Sequence, residues 1–207
     1  MSHTLDDSSS ASHPGQILIS VDKFLTSSGV TGIKRKYYAY LFKKPVSKLP
    51  RILLSNRLIR KWIRTSEHFL HGCINPSIII NKDKGIIATY TDLNNDSTVP
   101  TSVIKITSSN LHLIEGMELS NGQKIPTVSL YYQNELDPGA NAWKDFEPLA
   151  AYCFSDNFNE CDQLLSRLEG NEWECLMEGL KQVDDSEKIG LYRVNLPLNL
   201  TDNTYAR

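Results

Sequence analysis

Hydrophobic and polar positions follow a period of about two residues over a long central stretch of the chain. From Gly72 onward, runs of β-branched residues alternate with turn residues, which is the pattern of β-strands joined by tight connections. The sequence therefore predicts a β region over residues 72–133. Its candidate strands are residues 77–81, 85–93, 101–107, 116–120 and 124–133.

The dipeptide Asn121-Gly122 stands between the last two candidate strands. A type I′ turn needs positive φ at both central residues, and Asn and Gly tolerate this conformation best. We therefore expect a β-hairpin over residues 116–133 with this dipeptide at its tip.

Residues 148–196 have the pattern strand, helix, helix, strand. Each helical stretch follows an Asn with a Glu three residues later, which is the spacing of a capping box. These pairs are Asn157 with Glu160 and Asn171 with Glu174. Gly170 is expected to separate the two helices.

Before the β region the period is that of a helix. At 100° per residue, the large apolar residues of 50–69 other than Leu53, including Leu58 and Trp62, fall within one half-circle. The basic residues on the other side are Arg57, Arg60, Lys61 and Arg64. The pattern predicts a basic amphipathic helix, preceded by an aromatic strand over residues 33–42.

Together these elements predict an α+β fold. We expect a mostly antiparallel sheet of five to seven strands, an N-terminal basic amphipathic helix and a C-terminal helix pair. The predicted organisation is a disordered polar tail (1–15), one domain (16–200) and a second tail (201–207). The domain contains a basic strand and helix (33–70), the β region (72–133) and the strand-helix-helix-strand segment (148–196).

Charge is distributed very unevenly along the 207 residues. Residues 23–66 contain twelve Lys or Arg and no acid, whereas residues 67–207 contain 21 acids and ten bases. A net charge of -2 thus conceals a strongly cationic segment and a strongly anionic one. This asymmetry indicates an anionic partner for the cationic segment, either outside the protein or within it.

We therefore expect a non-enzymatic interaction module that binds a protein partner or a second copy of itself. The candidate interaction surface consists of Lys34, Arg35, Lys36, Arg57, Arg60, Lys61 and Arg64. Binding of a polyanion through residues 34–64 is the alternative. Aromatic residues between the cations suit nucleic-acid bases, and Trp62 on a basic helix suits an anionic membrane surface.

Catalytic and metal chemistry have weaker signals. His68, His71 and Cys73 form at most half of a zinc site, because no second ligand pair has zinc-finger spacing. No phosphate-binding loop or nucleophile elbow occurs, so we expect no metal and no cofactor. An enzyme with an unrecognised site remains a third hypothesis, for which His112, Asp92 and Cys153 provide one arbitrary combination.

The compartment is predicted from cysteine spacing and hydropathy. The four cysteines form no CxxC pair, which favours reduced thiols over a disulfide framework. No apolar run approaches the ~18 residues of a membrane span, and the N-terminus lacks the pattern of a signal peptide. These features predict a soluble, cytoplasmic protein without a transmembrane segment.

Overall fold

The computed structural model describes residues 72–94, 101–114, 116–132, 142–154, 158–168, 170–197 and 200. Within these ranges the chain forms six β-strands, two α-helices and two short 3₁₀ helices. The strands are β1 Cys73–Asn81, β2 Ile86–Asp92, β3 Ser102–Ser108, β4 Lys124–Tyr132, β5 Asp145–Ala150 and β6 Gly190–Arg193. The helices are α1 Phe158–Ser166 and α2 Gly170–Leu180, with the 3₁₀ helices η1 Leu111–Leu113 and η2 Ala151–Cys153.

All six strands belong to one sheet with the order β5-β4-β1-β2-β3-β6. Every pair of neighbours is antiparallel, and Gly85, at φ 65°, ends the tight turn between β1 and β2. The predicted α+β class and antiparallel sheet are thus confirmed. The basic strand and helix predicted over residues 33–70, like both tails, lie outside the described residues.

The predicted hairpin over residues 116–133 is wrong in its first half. Residues 116–120 form no strand, because β4 already pairs with β1 on one side and β5 on the other. The turn itself does form, since the backbone N–H of Gln123 donates to the Ser120 carbonyl at 3.2 Å. Gly122 has φ 81°, as the dipeptide predicted.

The helix pair exists, but the start of the second helix differs from the prediction. Gly170 is the first residue of α2 rather than a separator. Asn171 therefore lies inside the first turn, and neither side-chain amide atom has a hydrogen-bond partner. It is not the predicted cap, while Asn157, the other predicted cap, lies outside the described residues.

The sheet is strongly curled. Lys105 of β3 forms an ion pair with Asp145 at the start of β5 at 2.7 Å, although three strands separate β3 from β5 in the sheet. A second contact joins the end of β2 to the start of β5, where the backbone N–H of Trp143 donates to the Leu93 carbonyl at 2.7 Å. The face that bears Lys105 is therefore the concave, inner face.

Helix α2 covers the outer face of β1, β2 and β3. Ala88 and Ile104 belong to the same buried cluster as Cys175 and Leu176 of this helix. The packing is close, because a Cβ on Gly179 would lie 2.9 Å from Ile104. Helix α1 packs against β4 and η2. Neither helix has the length and hydropathy needed to cross a bilayer, a statement that covers the described residues.

Candidate functional site

The inner face of the three central strands is polar although it is buried. The strand register places Ser77 of β1 beside Thr89 of β2, and Asn75 beside Thr127 of β4. We call these residues and their inner-face neighbours the inner polar cluster. Its members are Asn75, Ser77, Thr89, Thr91, Thr127, Ser129 and Tyr131. Apart from the half-buried Tyr131, each has a relative exposure of at most 4%.

Ser77 is the centre of a hydroxyl chain across the three strands. Its Oγ lies 2.6 Å from the hydroxyl of Thr89 and 2.8 Å from the hydroxyl of Thr127. Thr127 also donates to the backbone carbonyl of Asn75 at 3.1 Å. In this half of the cluster, each of the three hydroxyls has a partner, as buried polar groups normally do.

The second half of the cluster is a triangle of side chains. The Asn75 amide nitrogen donates to Thr91 at 3.0 Å and to the Tyr131 hydroxyl at 3.1 Å. The Thr91 and Tyr131 hydroxyls are 2.5 Å apart. Burial raises the pKa of Tyr131 well above its usual value, so that the phenol stays neutral and can donate a hydrogen bond.

An aromatic wall adjoins this triangle. The Tyr131 ring stacks on Phe146 at a centroid distance of 5.8 Å and lies tilted against Trp143 at 6.0 Å. Lys105 bonds to Asp145 and to the Phe146 carbonyl. The ammonium of Lys105 is therefore already compensated by protein groups.

Three buried polar atoms around Tyr131 have no hydrogen-bond partner. They are Asn75 Oδ1, Ser129 Oγ and Trp143 Nε1, in residues that are 4%, 0% and 7% exposed. An unsatisfied buried donor or acceptor costs about 1–3 kcal/mol. The inner polar cluster is therefore incompletely satisfied on the side of its aromatic wall.

The outer side of α2 presents a different surface. Glu174, Met177 and Glu178 share one face of the helix by their spacing, and Met177 is exposed despite its apolar side chain. Asp184 and Asp185, both exposed, follow the helix. We call these five residues the acidic outer surface. Lys181 pairs with Glu178 at 2.5 Å, which leaves a net negative charge.

None of the predicted basic site residues belongs to the described part of the chain. This holds for Lys34, Arg35, Lys36, Arg57, Arg60, Lys61 and Arg64, and also for His68 and His71. Cys73, the third residue of the half zinc site, is a buried cysteine of β1 that forms no disulfide. The described residues contain no group of three or more side chains that could hold a metal ion.

The structure does not bring together His112, Asp92 and Cys153, the residues of the catalytic hypothesis. Asp92 ends β2 and pairs with Ser102, whereas Cys153 lies near Ser109, beyond the opposite end of the β2–β3 ladder. The two ends of this ladder are six residues apart along β2, which corresponds to about 20 Å. Burial also raises the pKa of the Cys153 thiol to about 12, which makes it a poor nucleophile at neutral pH. His112 is exposed on η1.

Fold and site define an α+β protein with a curled antiparallel sheet, a buried polar inner face and a layer of two helices. Residues 60–184 match the family model described as "Protein of unknown function (DUF3239)". Because this match covers more than half of the chain, the protein belongs to that family.

A solved structure described as a "putative membrane protein" from Corynebacterium diphtheriae is similar to this chain. It has 18% sequence identity and a TM-score of 0.45, and the match covers 58% of this chain and 99% of that one. No curated protein matches the chain.

Sequence reasoning missed the inner polar cluster. The available signal was the recurrence of Ser and Thr at every second position, as at Thr89 and Thr91 of β2 or Thr127 and Ser129 of β4. In an antiparallel sheet that pattern usually marks a solvated face. Only the curl of the sheet shows that this face points inward.

Proposed function

We propose that this protein is a non-enzymatic interaction module whose acidic outer surface binds a cationic protein surface. The observation that supports this proposal most directly is the exposed Met177 between two glutamates of α2. Methionine is enriched at protein interfaces, and surrounding acids steer and orient a cationic partner.

The basic segment of a second copy is the partner that the charges favour. Residues 23–66 combine twelve bases with no acid, so their charge is opposite to that of the acidic outer surface. Pairing of the two surfaces between copies would compensate both. Because the pairs would be largely solvent-exposed, their attraction should weaken as salt shortens the Debye length from about 30 Å at 0.01 M to about 8 Å at 0.15 M.

Sedimentation velocity of the full chain at low and high salt tests this proposal. We expect self-association at low salt that is lost in the double variant Glu174→Lys/Asp184→Lys. The reciprocal variant Arg60→Glu/Arg64→Glu should fail in the same way. A mixture of the two variants should associate again, because each then offers the charge that the other lacks.

Glu118→Lys is the matched control, since Glu118 is an exposed acid outside α2. This variant should associate like the parent. A parent chain that stays monomeric at every salt concentration, or charge-reversed variants that associate as well as the parent, would refute the proposal. Retention of an oligonucleotide or anionic liposomes at about 0.15 M salt, lost in Arg60→Glu/Arg64→Glu, would instead favour the polyanion alternative.

A further inference from the structure

Strand β6 forms an open edge of the described sheet, where it pairs only with β3. Beyond the last residue of β6, the backbone N–H of Val194 donates to the Ser102 carbonyl at 3.0 Å. Because successive residues of a strand direct their backbone groups to opposite sides, the N–H and C=O of Tyr192 also point toward β3. Those of Leu191 and Arg193 point away from β3, toward a position that a further strand can take.

Two exposed apolar side chains lie along this edge. Ile189 and Leu191 have relative exposures of 61% and 37%, and the charge of Arg193 stands only at the end of β6. The opposite edge strand, β5, instead carries Glu147 and Pro148 in its interior, and charges and proline are the features that protect an edge from pairing with another chain. β6 is therefore the less protected edge, and it presents backbone groups together with apolar side chains.

The acidic outer surface borders this edge. The loop from α2 to β6 contains Asp184, Asp185 and Glu187. Two reciprocal hydrogen bonds of 2.9 Å between Gln182 and Asn195 hold the loop after α2 against the residues that follow β6. A strand that adds to β6 is therefore favoured if it is apolar where it meets the edge and cationic where it meets the acids.

The basic segment of this chain contains a stretch with this composition. Residues 37–42 are aromatic or apolar, residues 34–36 before them are Lys-Arg-Lys, and residues 43–44 after them are both Lys. A cationic end thus reaches the acids before β6 whether the added strand runs parallel or antiparallel. We propose that residues 33–42 of a second copy add to the edge of β6 as a strand. This pairing rests on the proposed function, because it specifies how the basic segment of the second copy docks beside the acidic outer surface.

A fluorescent peptide of residues 33–44 tests the edge through its anisotropy when the full chain is added at about 0.15 M salt. We expect saturable binding with a Kd below about 1 mM, as for a small and weak interface. The matched control peptide carries Ala39→Pro/Tyr40→Pro and keeps the same charge. It should bind at least tenfold more weakly, because adjacent prolines remove backbone N–H groups from both sides of the added strand.

Variants of Leu191 test the edge from the side of the folded domain. Leu191→Pro removes an N–H that points away from β3, so the bonds between β6 and β3 remain and the variant should fold. It should bind the peptide about tenfold more weakly than the parent. Leu191→Lys keeps the backbone N–H but places a cation beside the cationic peptide, and it should weaken binding as well. Leu191→Val is the matched control, because it keeps both the N–H and an apolar side chain and should bind like the parent.

Sedimentation velocity at about 0.01 M salt identifies the source of the added strand. Leu191→Pro and the full chain with Ala39→Pro/Tyr40→Pro should each lose self-association. Their mixture should associate again, because one variant offers an intact strand and the other an intact edge.

Two results would overturn the proposal. One is a peptide that binds Leu191→Pro as tightly as the parent. The other is a peptide that binds the full-chain variant Ala39→Pro/Tyr40→Pro but not the parent, which would show that the segment of the same chain occupies the edge.

Failure of strand addition is distinguishable from failure of the proposed function. If Leu191→Pro associates like the parent while Glu174→Lys/Asp184→Lys does not, the acidic outer surface acts without strand addition. If Leu191→Pro abolishes peptide binding and self-association while Glu174→Lys/Asp184→Lys changes neither, strand addition is supported and the role of the acidic outer surface is refuted.

Discussion

Ser77 and Ser129 offer a paired test of the inner polar cluster, because both are fully buried on neighbouring strands and differ in their hydrogen bonds. In Ser77→Ala, Thr127 keeps its bond to the carbonyl of Asn75, but Thr89 loses its bond to Ser77 at 2.6 Å. The variant loses two hydrogen bonds and leaves one hydroxyl unsatisfied. At about 1 kcal/mol for each bond and about 1–3 kcal/mol for the orphaned hydroxyl, we expect a loss of about 3–5 kcal/mol.

Ser129→Ala should behave differently, because Ser129 Oγ has no partner to lose. Its removal relieves an unsatisfied group, so the free energy of unfolding should stay within about 0.5 kcal/mol of the parent or rise by about 1 kcal/mol.

Urea unfolding of the parent and both variants, followed by circular dichroism, measures the difference. The slopes with denaturant should be equal, so that the midpoints alone report stability. If Ser129→Ala is destabilised as much as Ser77→Ala, Ser129 Oγ has a hydrogen-bond partner in the folded protein. If neither variant loses stability, the hydroxyl chain around Ser77 does not contribute to folding.

Two further predictions concern local features. Gly122→Val should lose about 1–2 kcal/mol of stability in urea unfolding, because Gly122 has φ 81° and no atom lies near its missing Cβ, so that only backbone strain acts. Gly170→Val is the control at another glycine with open space and should lose clearly less. Equal losses in the two variants would disprove the turn at Gly122. Burial raises the pKa of Cys153 from about 9 to about 12, so its contribution to stability is complete below about pH 9 and is lost as the pH rises toward 12. In thermal unfolding, the parent should therefore lose more stability than Cys153→Ala as the pH rises from about 8.5 to 10.5. Parallel pH profiles of the two proteins would contradict the raised pKa of Cys153.

Much of the secondary structure follows from the sequence alone. The period of two over residues 85–93 and 101–107 predicted β2 and β3 to within about a residue at each end. This is possible because alternation is a local property of an extended backbone. The predicted pair of C-terminal helices follows from local periodicity in the same way.

The pairing of the strands was less accessible to sequence reasoning. Asn121-Gly122 correctly predicted a turn, but it did not predict what flanks the turn. Residues 116–120 form no strand because β5, which begins more than twenty residues later in the chain, occupies the free edge of β4. Competition between distant segments for one edge of a sheet leaves no mark on the local pattern.

The tertiary structure alone decided where the polar face of the sheet points. From the sequence, Thr89 and Thr91 would lie in solvent, because they alternate with apolar residues. The sheet instead curls until Lys105 reaches Asp145, forty residues away, and this closure puts the hydroxyls inside. Alternation therefore determines which residues share a face, whereas contacts between distant strands determine whether that face meets water or the interior of the protein.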